Sequence, residues 1–181
     1  MDKFNLNTER LIITEFNEGM IESVQENSID EDNRRFVPDE VFETIEEARE
    51  TVLWLMDCYK KENEPRVYPV LLKDGENIGY VQAVPLKDGW EIGYHIAKKH
   101  TRNGYATEAV KAFLPVIMER LGIKEIVGIC LPENIASCTV LERCGFELEY
   151  KGAGNYQGDE REICRYKYSF PKIINLNGEL R

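Results

Sequence analysis

The stretch His100–Leu114, HTRNGYATEAVKAFL, carries the first chemical signal. Its later residues repeat at helical spacing, yet it opens on Thr101, Arg102, Asn103, Gly104, Tyr105, Ala106 and Thr107, with no ordinary N-cap signature. A helix start leaves backbone N–H groups without partners, and the helix dipole adds partial positive charge there. Uncovered N–H groups from about Arg102 to Thr107 would therefore receive an anion, and Gly104 lets the ligand come close to the backbone. Lys98, Lys99, Arg102 and Lys111 gather at the same place. The chain as a whole has a formal net charge of -10, so this is a local reversal of sign. A strand, a short loop and a glycine-bearing helix start together suit a phosphate. The plainer alternative is a solvated basic loop.

Other chemistries lack their patterns. There is no G-x-x-x-x-G-K-[ST] for a nucleotide P-loop, and no G-x-G-x-x-G after an early strand for a dinucleotide site. The five cysteines, Cys58, Cys130, Cys138, Cys144 and Cys164, are odd in number and have no C-x-x-C spacing. They read as buried small apolar residues rather than zinc ligands or a disulfide framework. Two histidines, His95 and His100, are too few and too badly spaced for a metal site. An acidic chain argues against nucleic acid as a partner and mildly favours a cationic one. No apolar run approaches the ~20 residues of a membrane span, and MDKFNLNTER has no apolar signal core, so a cytoplasmic location is the default expectation.

The 181 residues, 43% hydrophobic and 31% charged, fit one ordinary globular domain. The residues Arg10–Phe16 alternate as a strand, NEGMIESVQENS reads as a short helix, and SIDEDNRRFVPDEVF reads as a polar loop. Thr44 followed by Glu47 is a capping box, opening a helix that buries Ala48, Val52, Leu55, Met56 and Tyr59. The period then changes to that of strands. RVYPVLLK, ENIGYVQAVPL and WEIGYHIA are separated by Asp74-Gly75 and Asp88-Gly89, which predicts an antiparallel meander. The glycine-led helix follows, from about Gly104 to Leu121, with Pro115 expected to kink or break it and Gly122 to end it. KEIVGICL is a buried strand, PENIASCTVLERCGF a short helix capped by Asn134 and closed near Gly145, and two strands finish the domain. The domain is read as 1–170, with 171–181 a loosely held tail.

These segments resemble the GNAT superfamily of acetyl-CoA-dependent N-acetyltransferases, and within it the branch of ribosomal-protein N-terminal acetyltransferases. TERLIITEF resembles the opening strand of that branch. WEIGYHIAKKHTRNGYATEA resembles its central strand and pyrophosphate loop, PENIASCTVLERCGF its Asn-x-x-Ser helix, and EREICRYKYSF its closing strand. The likeness spans roughly Thr8 to Phe170. It departs from the loop pattern at Thr101, and Arg102 stands where the branch usually has a second glycine. The resemblance implies an α/β (α+β) single domain: a mixed, mostly antiparallel sheet flanked by helices, with two central strands, Trp90–Ile96 and Glu125–Cys130, splayed around the coenzyme. It also implies acetyl-CoA as co-substrate, a primary amine as acceptor (a protein N-terminus or a small cationic amine), direct transfer and no metal. Homodimers are common in the branch.

Site roles follow from the same resemblance. Glu91 is the candidate base, sharing a strand face with Gly93 and His95 by alternation; the alternative is a glutamate paired with a cation or facing solvent. Backbone N–H groups near Tyr94 to Ile96 are the oxyanion donors, and Tyr94 lines the thioester channel or belongs to the core. The tyrosine acid of many relatives is replaced by Leu141. Ser137 is the substitute acid, with local backbone bonding as its alternative role. Asn134 bonds the pantetheine amides or simply caps its helix. The coenzyme set is then Tyr94, Ile96, Lys98, Arg102, Asn103, Gly104, Tyr105, Ala106, Thr107, Asn134 and Ser137. Arg34, Arg35 and Phe36 fall in the acceptor region or in a solvated loop. Cys138 and Cys144 lack a neighbouring base histidine, so a covalent acyl-enzyme is not expected. The missing tyrosine and the altered loop motivate a second reading, a non-catalytic acyl-CoA-binding regulatory module.

Overall fold

The structure, a computed structural model, describes residues 3–170. The expected tail at 171–181 lies outside the described residues. Eight strands form one sheet in the order β1-β2-β3-β4-β5-β6-β8-β7. The strands are β1 (Asn5–Asn7), β2 (Leu11–Thr14), β3 (Arg66–Leu72), β4 (Asn77–Leu86), β5 (Gly89–Ile96), β6 (Glu125–Cys130), β7 (Glu147–Tyr156) and β8 (Asp159–Ser169). Five helices flank them: α1 (Ile21–Ser28), α2 (Glu31–Phe36), α3 (Ile45–Cys58), α4 (Tyr105–Leu121) and α5 (Ile135–Arg143). Every strand pair is antiparallel except β5–β6, so the expected mixed, mostly antiparallel sheet is present.

The two faces of the sheet bury different cores, and single-residue alternation assigns them. Tyr68 and Val81 belong to a cluster with Ala109, Val110, Phe113, Ile117 and Leu141, under α4 and α5. Their neighbours Val67 and Tyr80 pack instead with Ile21, Ala48, Val52 and Leu55, under α1 and α3. On β5, Ile92, Tyr94 and Ile96 join the first cluster. Glu91, Gly93 and His95 therefore face the α1/α3 side.

The helix ends follow local chemistry. Thr44 and Glu47 make the capping box of α3. Gly122 closes α4 at φ 64°, the left-handed conformation that glycine adopts without steric cost. Helix α4 runs through Pro115 as one helix, so of the expected kink or break the break does not occur. Pro115 is exposed while Phe113, Leu114, Ile117 and Met118 are buried. Burial thus holds the helix on both sides of the proline, and the carbonyl that loses its partner is on the wet side.

The segment read as a loop contains α2, which corrects that reading. Asp30 caps α2 by accepting the Asn33 N–H at 2.8 Å. Glu31 and Asp32 occupy its first turn and Arg34 and Arg35 its last, the charge order that complements a helix dipole. Pro38 follows and stops it. The short strand β1 was also not expected, and β2 is narrower than Arg10–Phe16. Of the cysteines, Cys138 is only half-buried, whereas Cys58, Cys130, Cys144 and Cys164 are buried; all five are free thiols.

Candidate active site

Strands β5 and β6 are parallel neighbours but pair in register only at Glu91 and Val127. Beyond that point they separate, as splayed central strands should. Side chains near the gap are small or absent. A Cβ at Gly93 would lie 2.5 Å from the Gln82 side chain, and one at Gly128 would lie 2.6 Å from Leu141. Both are closer than real Cβ contacts, so a larger residue at either position would have to displace the Gln82 or Leu141 side chain.

The gap opens into a chain of cavities. An outer one, about 710 Å³, is walled by Lys98, Arg102, Gly104, Tyr105, Ala106 and Thr107 on one side and by α5 residues on the other. A middle one, about 440 Å³, shares Ile96, Lys98, Arg102 and Ala106 with it and adds Tyr94, Asn134 and Ser137. An inner one, about 500 Å³, shares Tyr94, Asn134 and Ser137 and reaches Glu91. Ten of the eleven expected coenzyme residues line this path. Asn103 does not. Its side-chain amide donates to the carbonyls of His100 at 3.1 Å and Thr101 at 3.2 Å, closing the loop on itself.

The start of α4 has the expected exposed donors. Gly104 is its N-cap at φ 79°, and no side chain caps the first turn. Arg102 also lies in the left-handed region, at φ 64°. That conformation costs a non-glycine residue ~1–2 kcal/mol, which explains why a glycine suits this position. Lys98 forms an ion pair with Asp32 on α2, and Lys99 and His100 both meet Glu76. Among the described residues Arg102 makes no ion pair. Arg143, at the end of α5, lines the same outer cavity. Sequence reasoning missed Arg143, because only the packing of α5 beside the loop brings it there.

On the α4/α5 side, the Tyr94 hydroxyl lies 2.9 Å from Ser137 Oγ and donates to the Ser137 carbonyl at 2.9 Å. Burial holds the Tyr94 phenol far above its ordinary pKa. Asn134 Oδ1 accepts the Ser137 N–H at 3.1 Å, so Asn134 caps α5 while lining the path. Leu141 is 1% exposed and fills the core under Gly128. Cys130 and Cys138 have their sulfurs 3.4 Å apart, and burial raises the Cys130 thiol pKa.

On the opposite side, burial pushes the Glu91 carboxyl up to about 7, and the Glu40 charge adds to this. The Ile129 N–H and Arg165 act the other way without cancelling it. His95 approaches Asp30 at 3.6 Å, and its proximity holds the Asp30 carboxyl below its ordinary pKa. Tyr156 on β7 donates to the Phe36 carbonyl at 2.8 Å, closing the end of α2 over the cleft. Arg34 pairs with Glu43, and the Arg35 guanidinium lies 4.9 Å over the Phe36 ring. Neither arginine lines the inner cavity. Among the described residues no helix is long and apolar enough to cross a membrane, and no three His, Cys, Asp or Glu side chains group to hold a metal.

An open mixed sheet, split between two parallel central strands and entered from an uncapped helix start, defines an acyl-coenzyme A transferase class of fold. The chain belongs to the GNAT acetyltransferase family: the acetyltransferase (GNAT) domain matches residues 10–147. It is 30% identical over 150 residues to YnaD of Bacillus subtilis strain 168, described as an uncharacterized N-acetyltransferase, covering 80% of this chain and 84% of that one. A GNAT-family acetyltransferase structure from Bacillus anthracis superposes with a TM-score of 0.79 at 26% identity, over 92% of this chain and 98% of that one. The structure of RimL, a ribosomal L7/L12 α-N-protein acetyltransferase solved with coenzyme A, superposes at 0.78 with 18% identity, over 92% and 98% of the two chains. At that identity the last likeness concerns the fold.

Proposed function

We propose that this protein transfers the acetyl group of acetyl-CoA directly to a primary amine within a ternary complex. The observation that carries the reading is the continuous path from the uncapped start of α4, through the β5/β6 split, to Glu91. The backbone N–H groups of Gly104 to Thr107, with Arg102 and Arg143, suit a pyrophosphate. In the split, β5 stays paired with β4 but has no β6 partner beyond Glu91, so the backbone groups on its β6 edge can bond the pantetheine amides, and the amide nitrogen of Asn134 can join them.

The chemistry divides between the two sides of the sheet. An ammonium must lose a proton before its lone pair can attack the thioester carbonyl. Glu91, poised near neutrality, takes that proton, directly or through water. The tetrahedral oxyanion is met by backbone N–H groups near Tyr94 to Ile96. When the C–S bond breaks, the leaving thiolate takes a proton from the Ser137 hydroxyl, which is hydrogen-bonded to Tyr94, and the second proton shed by the attacking nitrogen restores that hydroxyl through water. This pair fills the role left vacant at Leu141. A pKa raised to about 7 in a cleft is what a base needs and a passive binding module does not, which favours the catalytic reading over the regulatory one.

The test is a thermal midpoint with and without acetyl-CoA, followed by release of free thiol over a panel of peptide and small-molecule amines. A ligand at ~100 times its dissociation constant adds ~2.7 kcal/mol of stability. A clear shift plus thiol release with an amine supports the reading. No shift at millimolar acetyl-CoA overturns it.

A further inference from the structure

The inner cavity does not end at Glu91. It shares Glu40, Tyr80, Gln82 and Val84 with a second chamber of about 380 Å³ beneath α1 and α3. That volume is within the range of small-molecule sites. Its wall is mainly apolar, from Phe16, Val24, Phe42, Trp54, Leu55 and Val67. Several polar side chains in the wall already have protein partners. Asn27 donates to the Asn77 carbonyl at 2.7 Å, Asn33 to the Ser28 carbonyl at 3.0 Å, and Asn77 to Ser23 at 3.0 Å.

Glu40 is the exception, and it stands where the two cavities meet. Its Oε1 accepts from Gln82 Nε2 at 3.1 Å. Its Oε2 is sealed from solvent and has no hydrogen-bond partner, the only buried side-chain nitrogen or oxygen in that state among the described residues. A buried carboxylate oxygen without a partner is costly unless a cation or a proton compensates it. No lysine or arginine of the described residues forms an ion pair with Glu40; burial raises its carboxyl pKa, Gln82 and His95 oppose that rise, and the Asp39 charge adds to it. Glu40 ends a single helical turn, Pro38–Glu40, and lines both cavities.

We infer that Glu40 is a specificity-determining residue that receives the acceptor's ammonium beside Glu91, and that the acceptor is a primary amine on an apolar alkyl or aryl body seated in the chamber under α3. The inference rests on the acetyl-transfer reading above. Two carboxylates around one amine disfavour an acceptor with its own carboxylate, such as a free amino acid. Away from Asp39 and Glu40 at its mouth the chamber wall is mainly apolar, which disfavours a second ammonium carried deep into it, as in a diamine.

The experiment follows thiol release by the full chain saturated with acetyl-CoA, using 2-phenylethylamine, n-hexylamine, phenylalanine, putrescine and a serine-initiated tetrapeptide amide. The two apolar amines should show kcat/KM at least tenfold above the other three. Glu40→Gln should raise KM for them at least tenfold while kcat falls less. Thr51→Phe, which narrows the chamber from α3, should weaken n-hexylamine and 2-phenylethylamine and spare the tetrapeptide. Thermal midpoints of both variants with acetyl-CoA alone report whether they are folded and bind the coenzyme. In parallel, 2-phenylethylamine should raise the midpoint of the coenzyme A-loaded wild type but not of Glu40→Gln. Turnover confined to the tetrapeptide or putrescine, or an unchanged KM in folded Glu40→Gln, overturns the assignment and leaves acetyl transfer standing. Absence of turnover with every amine, despite a midpoint shift with acetyl-CoA, overturns acetyl transfer itself.

Discussion

Arg10, just before β2, is held by Glu108 on α4, with Nε 2.6 Å from Oε2 and Nη2 2.5 Å from the same oxygen. The pair joins the N-terminal strands to the coenzyme loop, because Arg10 Nη1 also donates to the Asn103 carbonyl at 2.9 Å and the guanidinium lies 4.7 Å over the Tyr105 ring. Thr8 completes the clamp, donating to Glu108 Oε1 at 2.6 Å. As an ion pair that is 44% exposed at Arg10, this is worth only ~0–1 kcal/mol in stability. Its larger effect is on position, since the clamp fixes the loop that presents the α4 N–H groups. Arg10→Ala should therefore cost ~1 kcal/mol in chemical denaturation and weaken acetyl-CoA about tenfold in calorimetric titration. Equal coenzyme affinity in the variant would show that the loop holds its shape without the clamp.

In the proposed mechanism Glu91 links catalysis and stability with opposite signs. As a base it works ionised, so kcat/KM should rise with pH and level off above about 7. Glu91→Gln should remove that limb and lower kcat by ~10²–10⁴-fold. The folded protein holds this proton more tightly than the unfolded chain does. The raised pKa therefore stabilises the fold while the carboxyl is protonated, and that contribution is lost as pH rises from the ordinary carboxyl value to about 7. Glu91→Gln should match the wild type near pH 4 and exceed it at pH 8 by about 1–3 kcal/mol. Denaturant melts at the two pH values check this, and a variant less stable at both would contradict it.

Much of this geometry was legible where a short pattern has one physical meaning. Thr44 and Glu47 could only be a capping box, Gly104 and Gly122 bracket α4, and Glu91 shares its face with Gly93 and His95 through strand alternation. Helix α2 was not read, although Asp30 as cap, acids first and arginines last were all present. At six residues it is too short for hydrophobic periodicity to show. Glu40 and Arg143 were beyond reach for a different reason. Each matters through a partner far along the chain: Gln82 for Glu40, and the α4 loop for Arg143. Nothing in their local sequence records that proximity.

Tyr94 and Ser137 should behave as one unit. Their hydroxyls are 2.9 Å apart, and burial raises the Tyr94 phenol well above its ordinary pKa. Ser137→Ala and Tyr94→Phe should each lower kcat about tenfold, and the double variant should be little worse than either single one. Acetyl-CoA affinity should change far less than kcat in Tyr94→Phe, which keeps the ring. Additive losses in the double-mutant cycle would mean that the two hydroxyls act separately.

Arg102 sets a local strain against a charge. At φ 64°, a glycine there relieves a backbone penalty that an alanine retains. Both substitutions remove the guanidinium that the outer cavity presents beside the α4 N–H groups. Arg102→Gly and Arg102→Ala should therefore weaken acetyl-CoA to a similar degree, about three- to tenfold, with the loss shrinking at high salt as screening grows. Their stabilities should diverge, the glycine variant exceeding the alanine variant by roughly 1 kcal/mol in the ligand-free protein. If both variants bind acetyl-CoA as tightly as the wild type at low salt, Arg102 does not contact the phosphates, and the exposed backbone N–H groups of Gly104 to Thr107 carry the anion without it.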